Sequence, residues 1–173
     1  MMSFSLRSLH GTARWLITWF LIVLGVGYLT GIVFVRHTTH NTPRGVVHQF
    51  RGNEDVPLEE VQEIKYPKSP YEMLNILHAH ITSFALIFLA VGGLFMGTSV
   101  SERWKAILAL EPFAATLVLF GGMAAVRFLP ESWAWPAAWV MLVAGGSTFI
   151  CLYVMIGRIL WEMWQPRNRQ DVA

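Results

Sequence analysis

The chain has 173 residues, of which 54% are hydrophobic and only 14% are charged. A soluble domain has about 25% charged residues, so this composition predicts an integral membrane protein. The net charge is only +2, and the basic residues are scattered among apolar neighbours. This excludes nucleic acid as a partner, because binding to a phosphate backbone needs clustered cations.

Four hydrophobic stretches are long enough to cross a bilayer. A hydrocarbon core of about 30 Å needs roughly 20 apolar residues at the helical rise. The stretches that meet this length are residues 15–35, 74–97, 106–127 and 135–156. Because lipid offers the backbone no hydrogen-bond partner, each stretch is predicted to be an α-helix. The predicted fold is an all-α integral membrane protein, with one membrane domain over residues 1–173 that forms a four-transmembrane-helix bundle.

Basic residues beside these stretches predict the orientation. They precede the first stretch, lie between the second and third, and follow the fourth: Arg7, Arg14, Arg103, Lys105, Arg158, Arg167 and Arg169. Under the positive-inside rule such segments stay in the cytoplasm. We therefore predict cytoplasmic N- and C-termini and, for a bacterial protein, a location in the inner (cytoplasmic) membrane.

The connection between the first and second stretches, residues 36–71, is then extracytoplasmic. A connection of roughly 35 residues with no structure of its own is unusual in a compact domain, so we predict an ordered loop. The segments PRG (residues 43–45) and KSP (residues 68–70) are typical of turns. Between them, VPLEEVQEI (residues 56–64) is typical of a short amphipathic helix.

Histidines occur at the two helix ends that this topology brings together. His37 and His40 follow the first stretch, and His78 and His80 lie near the start of the second. Two adjacent antiparallel helices place these four side chains at the same depth. The helical row through His78 passes small residues, whereas the row through His80 passes bulky aliphatic ones, so we expect His78 to face the interior. His80 would then serve a second centre or reach the loop.

Histidines in this position predict a cofactor. Neutral imidazole is a good ligand for haem iron, copper and zinc, and helix bundles build such sites from facing helices. We expect a b-type haem bound by His78 with His37 or His40, and His80 is a further candidate ligand. Copper or zinc held by His78, His37 and His40 is the lesser alternative. The one cysteine, Cys151, excludes covalent attachment of a c-type haem.

The simpler alternative gives the histidines no cofactor. Histidine at a helix end often hydrogen-bonds loop carbonyls or interfacial water. Under this interpretation the four side chains fasten the loop to the helix ends, and no metal or haem is bound.

An acidic residue, Glu111, lies within the third stretch and next to Pro112. Ionisable groups at membrane depth are costly, so Glu111 is a candidate for a proton relay or for hydrogen bonding to a quinone head group. If the span instead begins at Pro112, Glu111 is an acid at a helix N-terminus, where proline and negative charge are both favoured.

Two other polar residues are candidates near the outer ends of the helices. Arg127 closes the third stretch, where we expect it to reach the outer surface or to pair with Glu131. Asn75 precedes His78 by three positions. On a helix this spacing allows Asn75 to hydrogen-bond a ligating imidazole and fix its orientation.

Two functions fit these features. In the first, the protein binds haem near the periplasmic face and transfers electrons between membrane quinol and a periplasmic electron carrier, within a respiratory or other redox complex. In the second, it is a non-catalytic accessory or assembly subunit of a larger membrane complex. Both make membrane lipids and other subunits its partners. The sequence has no catalytic motif, which favours either role over a stand-alone enzyme.

Overall fold

A computed structural model describes residues 5–54, 56–57, 59 and 63–166. Every regular element within these ranges is helical. A short 3-10 helix, Leu6–Ser8, is followed by five α-helices: α1 (Gly11–Thr39), α2 (Pro43–Arg51), α3 (Pro70–Met96), α4 (Glu102–Phe128) and α5 (Glu131–Trp164). All except α2 are long and apolar enough to cross a membrane. This confirms the prediction of an all-α membrane protein with four candidate spans.

Helix α3 begins before its hydrophobic stretch because polar residues cap its start. At the start of α3, the Ser69 hydroxyl accepts a hydrogen bond from the backbone N–H of Glu72 at 3.2 Å. The Glu72 carboxylate in return accepts one from the backbone N–H of Ser69 at 2.8 Å. This capping box pairs two N–H groups near the helix start. Residues 68–70, predicted to be a turn, therefore lead into a spanning helix.

The start of the α1–α3 connection forms α2, where a turn was predicted. Thr42 precedes α2, and its hydroxyl accepts a hydrogen bond from the N–H of Gly45 at 3.0 Å. Pro43 occupies the first helical turn, where its missing N–H is no loss. Glycine is needed at position 45, because a Cβ there would lie 1.9 Å from the carbonyl oxygen of Thr39. The prediction of a turn at residues 43–45 was therefore wrong.

The bundle has two ends, and each half has its own core. At the terminal end α1 and α4 begin and α3 and α5 finish, whereas α2 lies at the loop end. The core of the terminal half consists of Leu6, Leu21, Phe88, Val91, Phe95, Leu152, Met155, Ile156 and Ile159. The core of the loop half consists of Val46, Phe50, Met73, Phe120, Met123, Val126, Ala138 and Met141.

Helix α2 is part of the bundle core. It contributes Val46 and Phe50, which pack with residues of α3, α4 and α5. Burying an apolar side chain of this size stabilises a fold by about 1.5–3 kcal/mol. The following segment is tied down by Asn53, whose side chain accepts a hydrogen bond from the N–H of Lys65 at 2.6 Å. Of the helix predicted at residues 56–64, residues 58 and 60–62 lie outside the described ranges.

Each spanning helix has a carbonyl near its C-terminus that accepts a hydrogen bond from a distant part of the chain. The donors and acceptors are Lys65 with Thr38 of α1, Leu6 N–H with Gly97 after α3, Arg51 with Val126 and Leu129 at the end of α4, and Arg14 with Met163 of α5. The last carbonyls of a helix have no partner within it. Cationic donors also meet the negative end of the helix dipole, so these contacts stabilise the helix ends.

A buried carboxylate fixes the α3–α4 connection at the terminal end. Glu162 of α5 is only 2% exposed. Its two oxygens accept hydrogen bonds from the Ser99 N–H at 3.0 and 2.8 Å, and Oε1 accepts a further one from the Ser99 hydroxyl at 2.8 Å. The Arg158 guanidinium, one turn earlier on α5, lies 2.6 Å from the same Oε1. This many donors offset the cost of burying the charge.

Replacing Glu162 by glutamine should destabilise the protein. The change removes the charge that Arg158 and Ser99 surround, and we expect a loss of about 2 kcal/mol. The measurement is the thermal unfolding midpoint in detergent micelles. Glu102→Gln is the matched control, because Glu102 also pairs with a cation at this end, at 2.8 Å from Lys105, but is exposed. Equal midpoints for the two variants would show that the Glu162 contacts contribute little.

Candidate functional site

The histidines at the loop end lie on the surface of the bundle. His37, His78 and His80 are all exposed, so the expectation that His78 faces the interior was wrong. The inner side of α3 instead presents large aromatic side chains such as Phe88 and Phe95, which are fully buried. The physical reason is volume, because aromatic rings fill the space between the helices at this level, whereas Thr82 and Ala85 of the His78 row are exposed.

Two of the histidines have local roles. The Nδ1 atom of His80 lies 2.9 Å from the carbonyl oxygen of Ile76. Its ring is near two aromatic side chains, with centroid distances of 5.6 Å to Phe120 and 6.1 Å to Phe84. His40 ends α1 in the left-handed conformation, with φ of 53°. His80 is therefore an edge residue of the aromatic core, and His40 forms the end of a helix.

The space between α1 and α3 is occupied by aromatic rings. The ring centroid of Tyr28 lies 5.5 Å from that of Phe84 and 6.4 Å from that of Phe88. A macrocycle does not fit between these two helices of one chain without displacing the rings. Among the described residues, no three histidine, cysteine, aspartate or glutamate side chains are placed to hold a metal ion together. Haem or metal binding by the histidines stays a prediction.

Glu111 lies in the middle of a continuous helix. α4 runs from Glu102 to Phe128 with Pro112 inside it, so the alternative in which Glu111 occupies a helix N-terminus was wrong. The Oε2 atom of Glu111 is buried, and no hydrogen-bond donor reaches it among the residues that the structure describes. The Cys151 thiol on α5 lies close to the same carboxyl group. Leaving an acidic oxygen unpaired in an apolar setting is costly.

Glu111 forms part of the wall of an open groove between α4 and α5. The groove has a volume of about 420 Å³ and is lined by Glu111, Ala114, Ala115, Val118, Trp139, Val140, Val143, Ala144 and Ser147. Apart from Glu111 and Ser147 these side chains are apolar or, in Trp139, mainly aromatic. An apolar groove with a few polar groups and a volume of about 300–1,000 Å³ is typical of small-molecule sites. The groove around Glu111 is therefore a candidate site.

The remaining predicted site residues lie elsewhere. The Nε of Arg127 donates to the backbone carbonyl oxygen of Lys68 at 2.6 Å. Arg127 thus joins the end of α4 to the segment before α3. Asn75 lies on the exposed side of α3. Neither residue lines the groove that contains Glu111.

Comparison with known families identifies the class of this protein. A family model named Aq_1264_TM and described as a transmembrane helical domain matches residues 40–170. The chain belongs to the Aq_1264_TM family. The match covers α2 to α5 and therefore includes both the loop half of the core and the groove around Glu111. No curated protein and no solved structure matches the chain. The Aq_1264_TM assignment supports an integral membrane location.

His48 on α2 has an altered acidity. Partial burial lowers the pKa of its imidazole, and the positive charges of Arg44 and Lys65 lower it further. The folded protein therefore disfavours protonated His48, whereas the unfolded chain binds the proton near pH 6.5. The stabilisation from neutral His48 is complete above this pH and is lost as the pH falls from there towards the lowered folded-state pKa.

We expect the unfolding midpoint of the protein to fall as the pH is lowered from about 7.5 to about 5, and the fall should be smaller in His48→Gln. Glutamine does not titrate in this range, so the difference between the two curves isolates His48. The change should be modest because His48 is only half-buried. His10→Gln, which alters a histidine at the opposite end of α1, serves as the control. Parallel curves for the parent and His48→Gln would contradict the assignment.

Proposed function

We propose that this membrane protein is a subunit of a redox assembly and that the groove between α4 and α5 binds a lipid-soluble quinol. The observation that supports this proposal is the carboxyl group of Glu111, with its buried and unpaired Oε2 atom, in the wall of an otherwise apolar groove. A quinol combines an apolar ring with hydroxyl groups that donate hydrogen bonds. It therefore complements both features of the groove.

The dimensions of the groove favour a single ring. Its volume of about 420 Å³ lies within the range of small-molecule sites, which is about 300–1,000 Å³. Trp139 offers an aromatic face, and Ala115 and Ala144 leave space beside the carboxyl group. Because the groove opens on the outer surface of two spanning helices, a hydrophobic ligand would enter it from the bilayer and need not cross water.

The chemical role of Glu111 would be to accept a hydrogen bond from a ring hydroxyl. Hydrogen bonds to an ionised acceptor are roughly twice as strong as neutral ones. They are stronger still where the surrounding medium has a low dielectric constant. A carboxylate in this position can also accept one of the two protons that a quinol releases when another component of the redox assembly takes its two electrons. The side chain of Glu111 would thus bind the ligand and receive its proton.

Glu111→Gln should weaken quinol binding about tenfold, because the carboxamide keeps the size of the side chain but loses the charge. The measurement is an equilibrium titration of the full-length protein in nanodiscs with a short-chain ubiquinol, followed by tryptophan fluorescence. Glu131→Gln is the matched control, since Glu131 is an exposed acid at the start of α5.

A second pair of variants tests the location of the binding site. Val143→Trp fills the groove, whereas Val154→Trp adds the same bulk to an exposed position of α5 that does not line it. The proposal requires binding to be lost in Val143→Trp and retained in Val154→Trp. If Glu111→Gln and Val143→Trp bind the quinol as well as the parent protein does, the assignment of the groove is wrong.

Electron transfer through haem, predicted from the histidines, is a second proposal. The contact of Tyr28 with Phe84 and Phe88 supports it, because this contact sets the register of α1 against α3. Towards the loop end, His37 lies nine residues beyond Tyr28, and His78 lies six residues before Phe84 and ten before Phe88. At the helical rise the two histidines therefore come to a similar level. Both are exposed, so a haem between them would lie on the outer surface and would be shared with a partner subunit.

The haem proposal predicts an α-band in the reduced-minus-oxidised optical spectrum of the protein purified with its partners. The band should be absent from His78→Ala and from His37→Ala. It should be retained in His10→Ala, which removes a histidine at the other end of α1. A colourless protein, or a band that survives both ligand variants, would refute haem binding by these residues and favour the accessory-subunit alternative with structural histidines.

A further inference from the structure

A second cavity lies at the terminal end, between the start of α1 and the end of α5. Its volume is about 460 Å³, and its lining includes Arg7, His10, Arg14, Trp164 and Gln165. Two of these side chains, Arg7 and Arg14, are permanently cationic. The cavity is therefore basic, and the groove around Glu111 is not.

The guanidinium of Arg14 is held in place in this cavity. It donates one hydrogen bond to the carbonyl oxygen of Met163 and lies over the ring of Trp164, 4.1 Å from its centroid. Its Nε atom is buried and has no partner among the described residues. An arginine fixed by a carbonyl and an aromatic face presents its remaining donors in a defined geometry, which suits the oxygens of a phosphate group.

The backbone beside Arg14 adds to the attraction for an anion. α1 begins at Gly11, and the side chain of His10, which precedes it, forms no capping hydrogen bond. The first N–H groups of a helix have no partner within it and lie at the positive end of the dipole. These groups face the same end of the molecule as the basic side chains. Charge, hydrogen-bond donors and space are thus combined at one place.

The level of the cavity in the bilayer is indicated by tryptophans. Trp15, Trp104 and Trp161 are exposed at the terminal end of the bundle, and indole rings are enriched at the head-group level of membranes. A cavity at this level lies beside lipid phosphates. Basic pockets between membrane helices are recognised binding sites for anionic head groups.

We propose that this cavity binds a phosphate group, supplied either by an anionic phospholipid or by a free phosphate ion. Arg14 is the principal ligand, and His10 assists it. The bound phosphate would join the start of α1 to the end of α5. Contacts within the described chain there include Arg14 with Met163 and Trp164, the edge-to-face pair of Trp15 and Trp164, and a hydrogen bond from the Trp164 indole N–H to the Thr18 hydroxyl. This proposal does not rest on quinol binding in the groove.

The experiment is native mass spectrometry of the full-length protein in detergent, titrated separately with phosphatidylglycerol, diacylglycerol and inorganic phosphate. We expect one saturable phosphatidylglycerol adduct, weakened about tenfold in Arg14→Gln. Arg103→Gln is the matched control, because Arg103 is an exposed cation at the same end that does not line the cavity. Its affinity should equal that of the parent protein. Binding should also weaken as the salt concentration rises.

The outcomes separate the possible sources of the phosphate. Competition by inorganic phosphate would assign the site to a free anion, and its absence would assign it to the lipid; both support a phosphate site. Since Arg14→Gln also removes the contact with Met163, His10→Ala provides a second variant that leaves this contact intact, and it too should weaken binding. Equal binding of diacylglycerol, or unchanged affinity in both variants, would overturn the proposal.

Discussion

The fold depends on pairing the backbone groups at the ends of its membrane helices. In a bilayer an unpaired carbonyl has little water to bind, so a helix end must find donors within the protein. Here long cationic side chains cross from one element to another to reach these carbonyls: Lys65 to α1, Arg51 to α4 and Arg14 to α5. Each contact also neutralises the negative end of a helix dipole. Residues of the connection between α1 and α3 therefore stabilise the bundle, because they hold particular helix ends together.

The four spans were predictable because hydropathy over about 20 residues is a strong signal. Which face of each helix points into the bundle was not predictable from the sequence. The expectation for His78 assumed that small residues line the contacts between helices, yet Phe84, Phe88 and Phe120 form the ring contacts of the interior. A hydrophobic stretch is compatible with either small or aromatic residues facing inward, because the outside of a membrane bundle is as apolar as its inside. Periodicity alone therefore cannot choose the buried face of such a helix.

Local contacts explain the other failures of the sequence analysis. Pro43 and Gly45 are typical of turns, but here the proline starts α2 and the glycine allows the backbone of α1 to approach it closely. Glu162 was not predicted to have a role, although a signal exists: Arg158 lies one turn before it within an otherwise apolar segment. An ion pair at that spacing indicates a charge that a spanning helix buries. The partner of Glu162 across the bundle, Ser99, is a loop residue that no sequence pattern would have linked to it.

A comparison of Glu111, which has one buried oxygen, with the fully buried Glu162 separates a candidate site from a structural residue. Glu162 has an ion pair and hydrogen bonds from Ser99 to both oxygens, so its charge is balanced within the chain. Glu111 has a buried oxygen with no donor among the described residues. Burying a polar group without a partner costs roughly 1–3 kcal/mol or more in proteins. The side chain of Glu111 therefore lowers the stability of the isolated chain, and a donor from outside the fold would remove that cost. The same reasoning applies to the Nε of Arg14, which also has no partner among the described residues. Because Arg14 is a cation and Glu111 an acid, the proposed ligands differ: an anion at Arg14 and a hydrogen-bond donor at Glu111.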